Sequence, residues 1–341
     1  MIVEKNPILQ DFPQFQTVKE LSERAVGSHV FSPVFYDIET TGLSRNSTFC
    51  YLIGAAAFEG NTWQLYQWLA EDESQEPELL SVFTDFIKPF TCTIQYNGNH
   101  FDQPYLESRF RLHGLADPFE GKAALDLYQE LKPLKGLLKL PGMKQPQLES
   151  FLGSPDRKYC DGGACIRLYK SFTSLRDEET CRTILGHNRE DLLGLGKVFE
   201  MLGYLCLIEG GYLVSEARFN GEQLLLNLEL PFTLPREFSN GSNGFYITGH
   251  DREVRLSVRA ENGRVRQYYE NYKDYYYLPG EDSAIPRSLG AYLDKSLRKP
   301  ARRETCYTWF DCTGDFLTSR EKQLQYLSHS LGFLLGTLER V

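Results

Sequence analysis

Residues 34–38, Val-Phe-Tyr-Asp-Ile, are apolar and β-rich up to an acidic end, and Thr40-Thr41-Gly42 follows them, a pattern that predicts a buried strand. Residues 50–58 and 63–69 are two further β-like runs joined across Glu59-Gly60-Asn61, which predicts a hairpin continuing the same antiparallel sheet. Leu79, Leu80, Phe83, Phe86 and Ile87 then recur at helical spacing, and residues 92–96 return to a β-rich texture. A helix is therefore expected to cross over to a fourth strand. From Phe101 to about Tyr204 the periodicity is helical, broken at Pro133, Pro141, Gly142, Pro146 and Gly153, with its longest stretch over residues 174–205. Beyond Gly210-Gly211 the chain changes to short β-like runs, at 245–248 and 254–258, with turn signals at 240–244 and at Asn262-Gly263. No internal repeat is visible. The pattern predicts an α/β unit over residues 30–205, a lead-in of residues 1–29 before it, and a smaller α+β accessory unit over residues 206–341.

A length of 341 residues with 41% hydrophobic content suits two packed units. Residues 1–10 contain Glu4, Lys5 and Pro7 and no apolar stretch of the signal-peptide kind, and no run of about 18 apolar residues appears elsewhere. A cytoplasmic protein with no membrane partner is expected. The eight cysteines, at 50, 92, 160, 165, 181, 206, 306 and 312, stand singly, without the close pairs that zinc sites use, and read as reduced structural thiols. A net charge of −9 argues against a protein that coats nucleic acid by neutralising many phosphates. It is compatible with an enzyme whose acidic pocket takes up cations.

Three segments carry candidate chemistry. In Tyr36-Asp37-Ile38-Glu39-Thr40-Thr41-Gly42-Leu43 the two acids lie two residues apart on a strand and project from one face, where together they can grip a hard cation such as Mg²⁺ or Mn²⁺. A strand-end Asp and Glu facing water would give the same spacing, but the apolar run ahead of them favours a pair at the mouth of a buried strand. In Tyr96-Asn97-Gly98-Asn99-His100-Phe101-Asp102, Asp102 falls between the fourth strand and the next helix, as a further ligand or as a simple helix cap. In His187-Asn188-Arg189-Glu190-Asp191, His187 and Asp191 are four apart and share a helix face, as a general base beside a ligand or as an ordinary polar face. Lesser candidates are the turn Asp161-Gly162-Gly163, the loop residue His100, and Lys135, Lys139 and Lys144, which suit a phosphate or a solvated helix equally.

Taken together these segments resemble the DEDD exonucleases, whose motifs are DxE on the first strand, Nx(3)FD at the second site, and a Tyr or His shortly before a last Asp. Asp37 to Leu43, Asn97 to Asp102, residues 134–153, Asp161-Gly162-Gly163 and His187 to Asp191 resemble the YprB-type ribonuclease H-like branch over roughly residues 30–205. The resemblance implies a ribonuclease H-like mixed sheet flanked by helices, and a 3′-to-5′ exonuclease acting on DNA or RNA, with single-stranded 3′ ends as substrate. It implies Asp37, Glu39, Asp102 and Asp191 as ligands of two divalent metal ions, Mg²⁺ or Mn²⁺, and His187 as the base. Thr40 and Leu43 would lie near the terminal nucleotide, and Asn97 is a further substrate-binding candidate. In the family's histidine subtype the His stands five positions before the last Asp; here His187 occupies the four-residue spacing of the tyrosine subtype. Two ions about 4 Å apart would clamp the scissile phosphate, activating water on one side and stabilising the leaving 3′-oxygen on the other. A noncatalytic binding module that keeps the fold is the alternative, and a helicase or repair protein is a conceivable partner.

Residues 250–303 hold 12 Lys or Arg against eight Asp or Glu, so this stretch is basic within an acidic chain. Tyr268, Tyr269, Tyr272, Tyr275, Tyr276, Tyr277 and Tyr292 interleave there with Arg264, Arg266, Arg298, Lys299, Arg302 and Arg303. Such a mixture suits bases and phosphates. It equally suits cross-strand tyrosine packing, which is expected for most of these rings, with Arg298, Lys299, Arg302 and Arg303 left as substrate-binding candidates.

Overall fold

The computed structural model describes every residue except 10, 160, 161, 243 and 339–341. Two compact units divide the chain, Met1–Lys132 with Pro141–Leu202, and Pro133–Leu140 with Gly203–Val341. In chain order the first contains β1 (Ile2–Pro7), α1 (Phe15–Val26), β2 (Pro33–Thr40), β3 (Cys50–Glu59), β4 (Thr62–Leu69), α2 (Glu76–Ile87) and β5 (Cys92–Gln95). After these come α3 (Asp102–Leu112), β6 (Ala123–Asp126) and α4 (Leu127–Leu131). The chain then leaves for α5 (Leu134–Leu137) of the second unit and returns as α6 (Gln145–Phe151), α7 (Gly162–Leu175) and α8 (Glu178–Phe199).

The six strands form one sheet in the order β1-β4-β3-β2-β5-β6, antiparallel from β1 to β2 and parallel from β2 to β6. Alternation along β2 sorts its side chains by face. Val34, Tyr36 and Ile38 are buried with Leu79 and Phe83 of α2 and Leu106 and Phe110 of α3. Phe35 points the other way, its ring 5.5 Å from that of Phe199 on α8. On that second face Tyr51, Leu52 and Leu69 pack with Tyr169 and Phe172 of α7 and Ile184 and Leu185 of α8. Helices thus cover both faces of the sheet. The odd-numbered residues of β2 are delivered to α8.

Two strands of the first unit were not expected from the pattern. Ile2–Pro7 is an edge strand whose apolar and charged residues alternate weakly, yet it pairs along its whole length with β4, so residues 1–29 supply a strand and a helix of the fold and are more than a lead-in. Ala123–Asp126 interrupts the expected helical layer; its four residues are too few to show a period, and only the parallel pairing with β5 defines it. Among the described residues no helix is long and apolar enough to cross a membrane. The seven described cysteines are buried and free, and Cys160 lies outside the described residues.

In the second unit, α9 (Cys206–Glu209) leads into an antiparallel sheet. It comprises β7 (Leu213–Phe219), β8 (Gln223–Glu229), β9 (Phe238–Ser242), β10 (Phe245–His250) and β11 (Glu253–Arg259), ordered β7-β8-β11-β10-β9. Next come β12 (Arg264–Tyr268), β13 (Tyr275–Leu278), β14 (Ser283–Pro286), α10 (Arg287–Gly290), β15 (Lys299–Pro300), β16 (Tyr307–Asp311) and α11 (Arg320–Thr337). Strands β12 and β16 form a ribbon, and β14-β13-β15 a small sheet.

The position of α3 depends on one buried ion pair. Glu76 at the start of α2 is fully buried; its Oε1 accepts from Arg109 Nε of α3 (2.8 Å) and from the Cys50 amide of β3 (2.8 Å). Its Oε2 accepts from Arg109 Nη2 and lies 2.8 Å from His113 Nε2. Removing one partner of such a pair leaves a buried charge uncompensated, which costs far more than the pair's net worth. Glu76→Gln is expected to lower the unfolding free energy in urea by about 3 kcal/mol. A loss below about 1 kcal/mol, the value for an exposed pair, would show that Arg109 does not depend on Glu76.

Candidate active site

Asp37 and Glu39 both face α8. Asn188 of that helix donates from Nδ2 to Asp37 Oδ2 at 2.9 Å, and its Oδ1 accepts from Gln67 Nε2 of β4 at 2.9 Å. This bridge requires close approach of helix and sheet: a Cβ on Gly54 of β3 would fall 2.0 Å from Asn188 Oδ1. The register of β2 against β3 shifts between Glu39 and Thr40, a bulge at the mouth of the strand. One turn along α8, His187 and Asp191 stack as their spacing predicts. His187 Nε2 lies 3.2 Å from Glu39 Oε1 and 3.2 Å from Asp191 Oδ2. Ligand atoms of Glu39, His187 and Asp191 all lie within 4.8 Å of one another, a spacing and donor set that fit a divalent cation.

Asp102 arrives from the opposite helix as the first residue of α3 and is buried. Its loop is fixed by Asp126 at the end of β6, whose carboxylate accepts from the amides of Asn97 (2.8 Å), Asn99 (3.1 Å) and Tyr128 (3.0 Å). Asn97 itself sits in the left-handed region at φ 59°, where asparagine is tolerated.

All four acids have a raised pKa, and burial is the first cause at each. Burial, and then the charges of Asp191, Asp102 and Glu39, push the Asp37 carboxyl well above the usual range, against the hydrogen bond from Asn188. Burial pushes Asp102 up to about 7, with Glu39 and Asp126 adding and the amides of Asp102 and Ile38 opposing. Glu39 and Asp191 are raised by burial too, with His187 and Arg157 pulling them back. Burial would lower the His187 imidazole, but Glu39 and Asp191 outweigh it and hold it raised.

Other candidates fall elsewhere. Thr40 is buried and its hydroxyl donates to the Gly42 carbonyl (2.9 Å), while Leu43 is 85% exposed on the adjoining turn. Asn97 and His100 are exposed. Asp161 lies outside the described residues; Gly162 opens α7, and a Cβ there would be 3.9 Å from His187 Nε2. Arg298, Lys299, Arg302 and Arg303 belong to the second unit. Arg298 donates to the Gly290 carbonyl and sits 4.6 Å over the Tyr276 ring, Arg303 lies 5.9 Å over Phe333, and Lys299 and Arg302 are exposed. The tyrosines pack chiefly on one another: Tyr268 stacks on Phe333 at 3.6 Å, Tyr269 on Tyr275 at 5.2 Å, and the hydroxyls of Tyr277 and Tyr307 both donate to Asp282.

Sequence reasoning missed Asn188, Asp126, and the pair Glu149 and Arg157. Asn188 adjoins His187, and its place beside the first acid follows only from the helix lying on β2. Arg157 reaches Asp191 from a segment with no periodicity to mark it.

Residues 34–203 match the family model RNase_H_2, described as RNase_H superfamily. With the mixed sheet and its flanking helices, that decides the fold. Residues 34–203 are a ribonuclease H-like domain. Among solved structures, the chain aligns with the family B DNA polymerase from the hyperthermophilic archaeon Pyrobaculum calidifontis at 12% identity and TM-score 0.42, over 90% of this chain and 46% of that one. It therefore spans less than half of the polymerase. It aligns with exonuclease I at 11% identity and TM-score 0.33, over 91% of this chain and 70% of that one. No curated protein matches the sequence.

In the ribonuclease H-like domain the clustered carboxyls make stability depend on pH. A carboxyl raised on folding keeps its proton longer than in the unfolded chain. Its stabilising contribution is whole below the ordinary carboxylate pKa and is lost as pH rises through the folded value, about 7 for Asp102. Chelator-treated protein is thus expected to lose melting temperature between about pH 4 and pH 8. Mn²⁺ should raise it more at pH 8 than at pH 5. A melting temperature flat across that window, with equal Mn²⁺ effects at both ends, would contradict the clustering of charge.

Proposed function

We propose that the ribonuclease H-like domain is a metal-dependent nuclease that hydrolyses DNA or RNA from the 3′ end, with Asp37, Glu39, Asp102 and Asp191 as ligands of two divalent ions, Mg²⁺ or Mn²⁺. One observation carries the reading: four carboxyls from three separate segments are held with their pKa raised, first of all by burial, and at Asp37 further by the charges of Asp191, Asp102 and Glu39. A purely structural fold gains nothing from such repulsion, whereas divalent cations compensate it. The ribonuclease H-like fold supports phosphodiester chemistry at this strand end. Divalent ions held there would supply activation of water and neutralisation of charge on the transferring phosphate.

The protein's own groups then have separate tasks. Asn188 orients Asp37 through Nδ2, and Gln67 holds Asn188. His187, between Glu39 and Asp191, is the group suited to take a proton from the nucleophile, with its Nδ1 buried and without a hydrogen-bond partner among the described residues. The 3′-end specificity belongs to the terminal-nucleotide residues of the resemblance, of which Leu43 is exposed for contact, whereas the Thr40 hydroxyl is turned to its own backbone.

Asp37→Asn and Asp191→Asn remove a ligand charge and almost no volume. Each is expected to weaken Mn²⁺ binding in calorimetry and abolish cleavage of end-labelled single-stranded DNA and RNA, with the fold intact. Unchanged affinity and full activity in both would remove the assignment, and absence of cleavage by the parent on any substrate would leave a noncatalytic module.

His187→Ala should keep Mn²⁺ affinity and slow single-turnover cleavage by roughly 10²- to 10⁴-fold, the usual contribution of a positioned base. His187→Tyr should recover part of that loss, since the spacing is that of the tyrosine subtype. A parent-like rate in His187→Ala would take the role away from it.

Replacing Arg298, Lys299, Arg302 and Arg303 together should weaken substrate binding and flatten its salt dependence while leaving single-turnover chemistry nearly unchanged. A salt slope equal to the parent's would show that this segment does not touch nucleic acid.

A further inference from the structure

We propose that Arg157 is a positioning residue for Asp191, itself held by Glu149; the inference rests on the metal-dependent reading above. Arg157 lies in the irregular segment between α6 and α7. Its guanidinium meets Glu149 in a two-point fork, Nε to Oε2 at 3.1 Å and Nη2 to Oε1 at 2.6 Å. The remaining arm, Nη1, donates to Asp191 Oδ1. The two oxygens of Asp191 are therefore divided: Arg157 holds Oδ1, and Oδ2 is turned toward His187, on the side where Glu39 lies. A carboxylate gripped at one oxygen has lost its rotational freedom, and its other oxygen is presented in a fixed direction.

Glu149 is built into this device. It is buried, and Gln145 Nε2 donates to its Oε1 at 2.9 Å and to the backbone carbonyl of Asp191 at 2.8 Å. A Cβ on Gly194 of α8 would fall 1.9 Å from Glu149 Oε1, so the helix carries glycine where the acid must approach. The segment is also fastened beside Asp191: Glu190 accepts from the amides of Lys158 (2.8 Å) and Tyr159 (3.1 Å), and the Tyr159 ring lies against Gly186. Positions 186, 190 and 194, four apart, form one stripe of α8 that receives the segment. The neighbouring stripe, 187 and 191, faces the acids.

Charge explains the pairing. An unbalanced guanidinium beside Asp191 would repel the cations that four carboxylates attract. Glu149 cancels it, so Arg157 can orient Asp191 without a net positive charge. A lysine cannot reproduce the fork, because its ammonium is a point donor.

The test measures Mn²⁺ affinity by calorimetry, and kcat and KM on an end-labelled oligonucleotide, for Arg157→Gln, Arg157→Lys, Glu149→Gln and the double variant Arg157→Gln with Glu149→Gln. Arg157→Gln should lower Mn²⁺ affinity or kcat by about 10- to 100-fold, as loss of a group that orients a ligand does, with KM within about threefold. Arg157→Lys should not rescue it. Glu149→Gln should shift both quantities the same way, and the double variant should lose less than the product of the singles. Circular dichroism and melting temperature accompany each variant; should Arg157→Gln fail to fold, Glu149→Gln and Arg157→Lys decide by the same quantities. A rise in KM with kcat and Mn²⁺ affinity unchanged would assign Arg157 to the substrate and overturn the proposal, as would parent-like values throughout. Asp37→Asn separates the two levels. If it abolishes Mn²⁺ binding and cleavage while Arg157 variants behave as the parent, only this inference fails; if the parent neither binds Mn²⁺ nor cleaves, the functional reading fails and takes it along.

Discussion

Keeping four carboxylates together at the end of a buried strand is the constraint around which the first unit is organised. Like charges in a medium poorer than water in screening repel strongly, and burial alone already penalises the ionised form. The fold meets this with rigid elements. Asp37 and Glu39 lie on the central strand β2, which has neighbours on both sides, and Asp102 enters on α3, which is tied to α2 and β3 through the buried Glu76 and Arg109. Asp191 sits on α8, whose apolar side is packed on the sheet. None of the four depends on a free loop for its position. Their mutual repulsion therefore cannot relax by local movement and is left to protonation or to cations.

The acids were legible in sequence because each lies on a regular element whose period fixes its direction. Two positions apart on a strand means one face, so Asp37 and Glu39 follow from β2 alone; four apart on a helix means one face, so His187 and Asp191 follow from α8. Asp102 follows from its position between β5 and α3. What joins the three segments is tertiary packing, which no local period encodes. Glu149 and Arg157 stayed hidden for the same reason. Arg157 belongs to an irregular segment, and its direction is set by contacts to Glu149 and Asp191, eight residues before it and 34 after it. Strands β1 and β6 escaped because one is an edge with weak alternation and the other is four residues long.

The aromatic and basic region of the second unit shows the converse, a strong composition whose groups are largely committed to one another. Arg266 lies 5.0 Å over Tyr307 and 4.8 Å over Trp309, and its Nη2 pairs with Glu261 at 3.1 Å. Arg298 and Arg303 are spent on Tyr276 and Phe333 in the same manner. Interleaved Arg and Tyr at alternate strand positions meet across the ladder, as Arg266 and Trp309 do in register, so a pattern suited to stacking bases is satisfied internally. Among the four basic candidates Lys299, Arg302 and Arg303 are exposed and Arg298 is half-buried.

Helix α8 is where these lines meet, because it serves three partners from adjacent stripes. Leu192, Leu195 and Val198 are buried, Asn188 reaches the first acid, and 186, 190 and 194 receive the segment that carries Arg157. Two of the close approaches require glycine on one side. Gly54 makes room on the sheet for Asn188, and Gly194 makes room on the helix for Glu149. Each glycine gives up the stability that a larger residue would add to a strand or helix interior. Placing that cost at these two contacts brings polar groups within hydrogen-bond distance of Asp37 and of the guanidinium that holds Asp191. Asp37 and Asp191 thus each have a partner that fixes their orientation, and Glu39 meets His187 of the same helix.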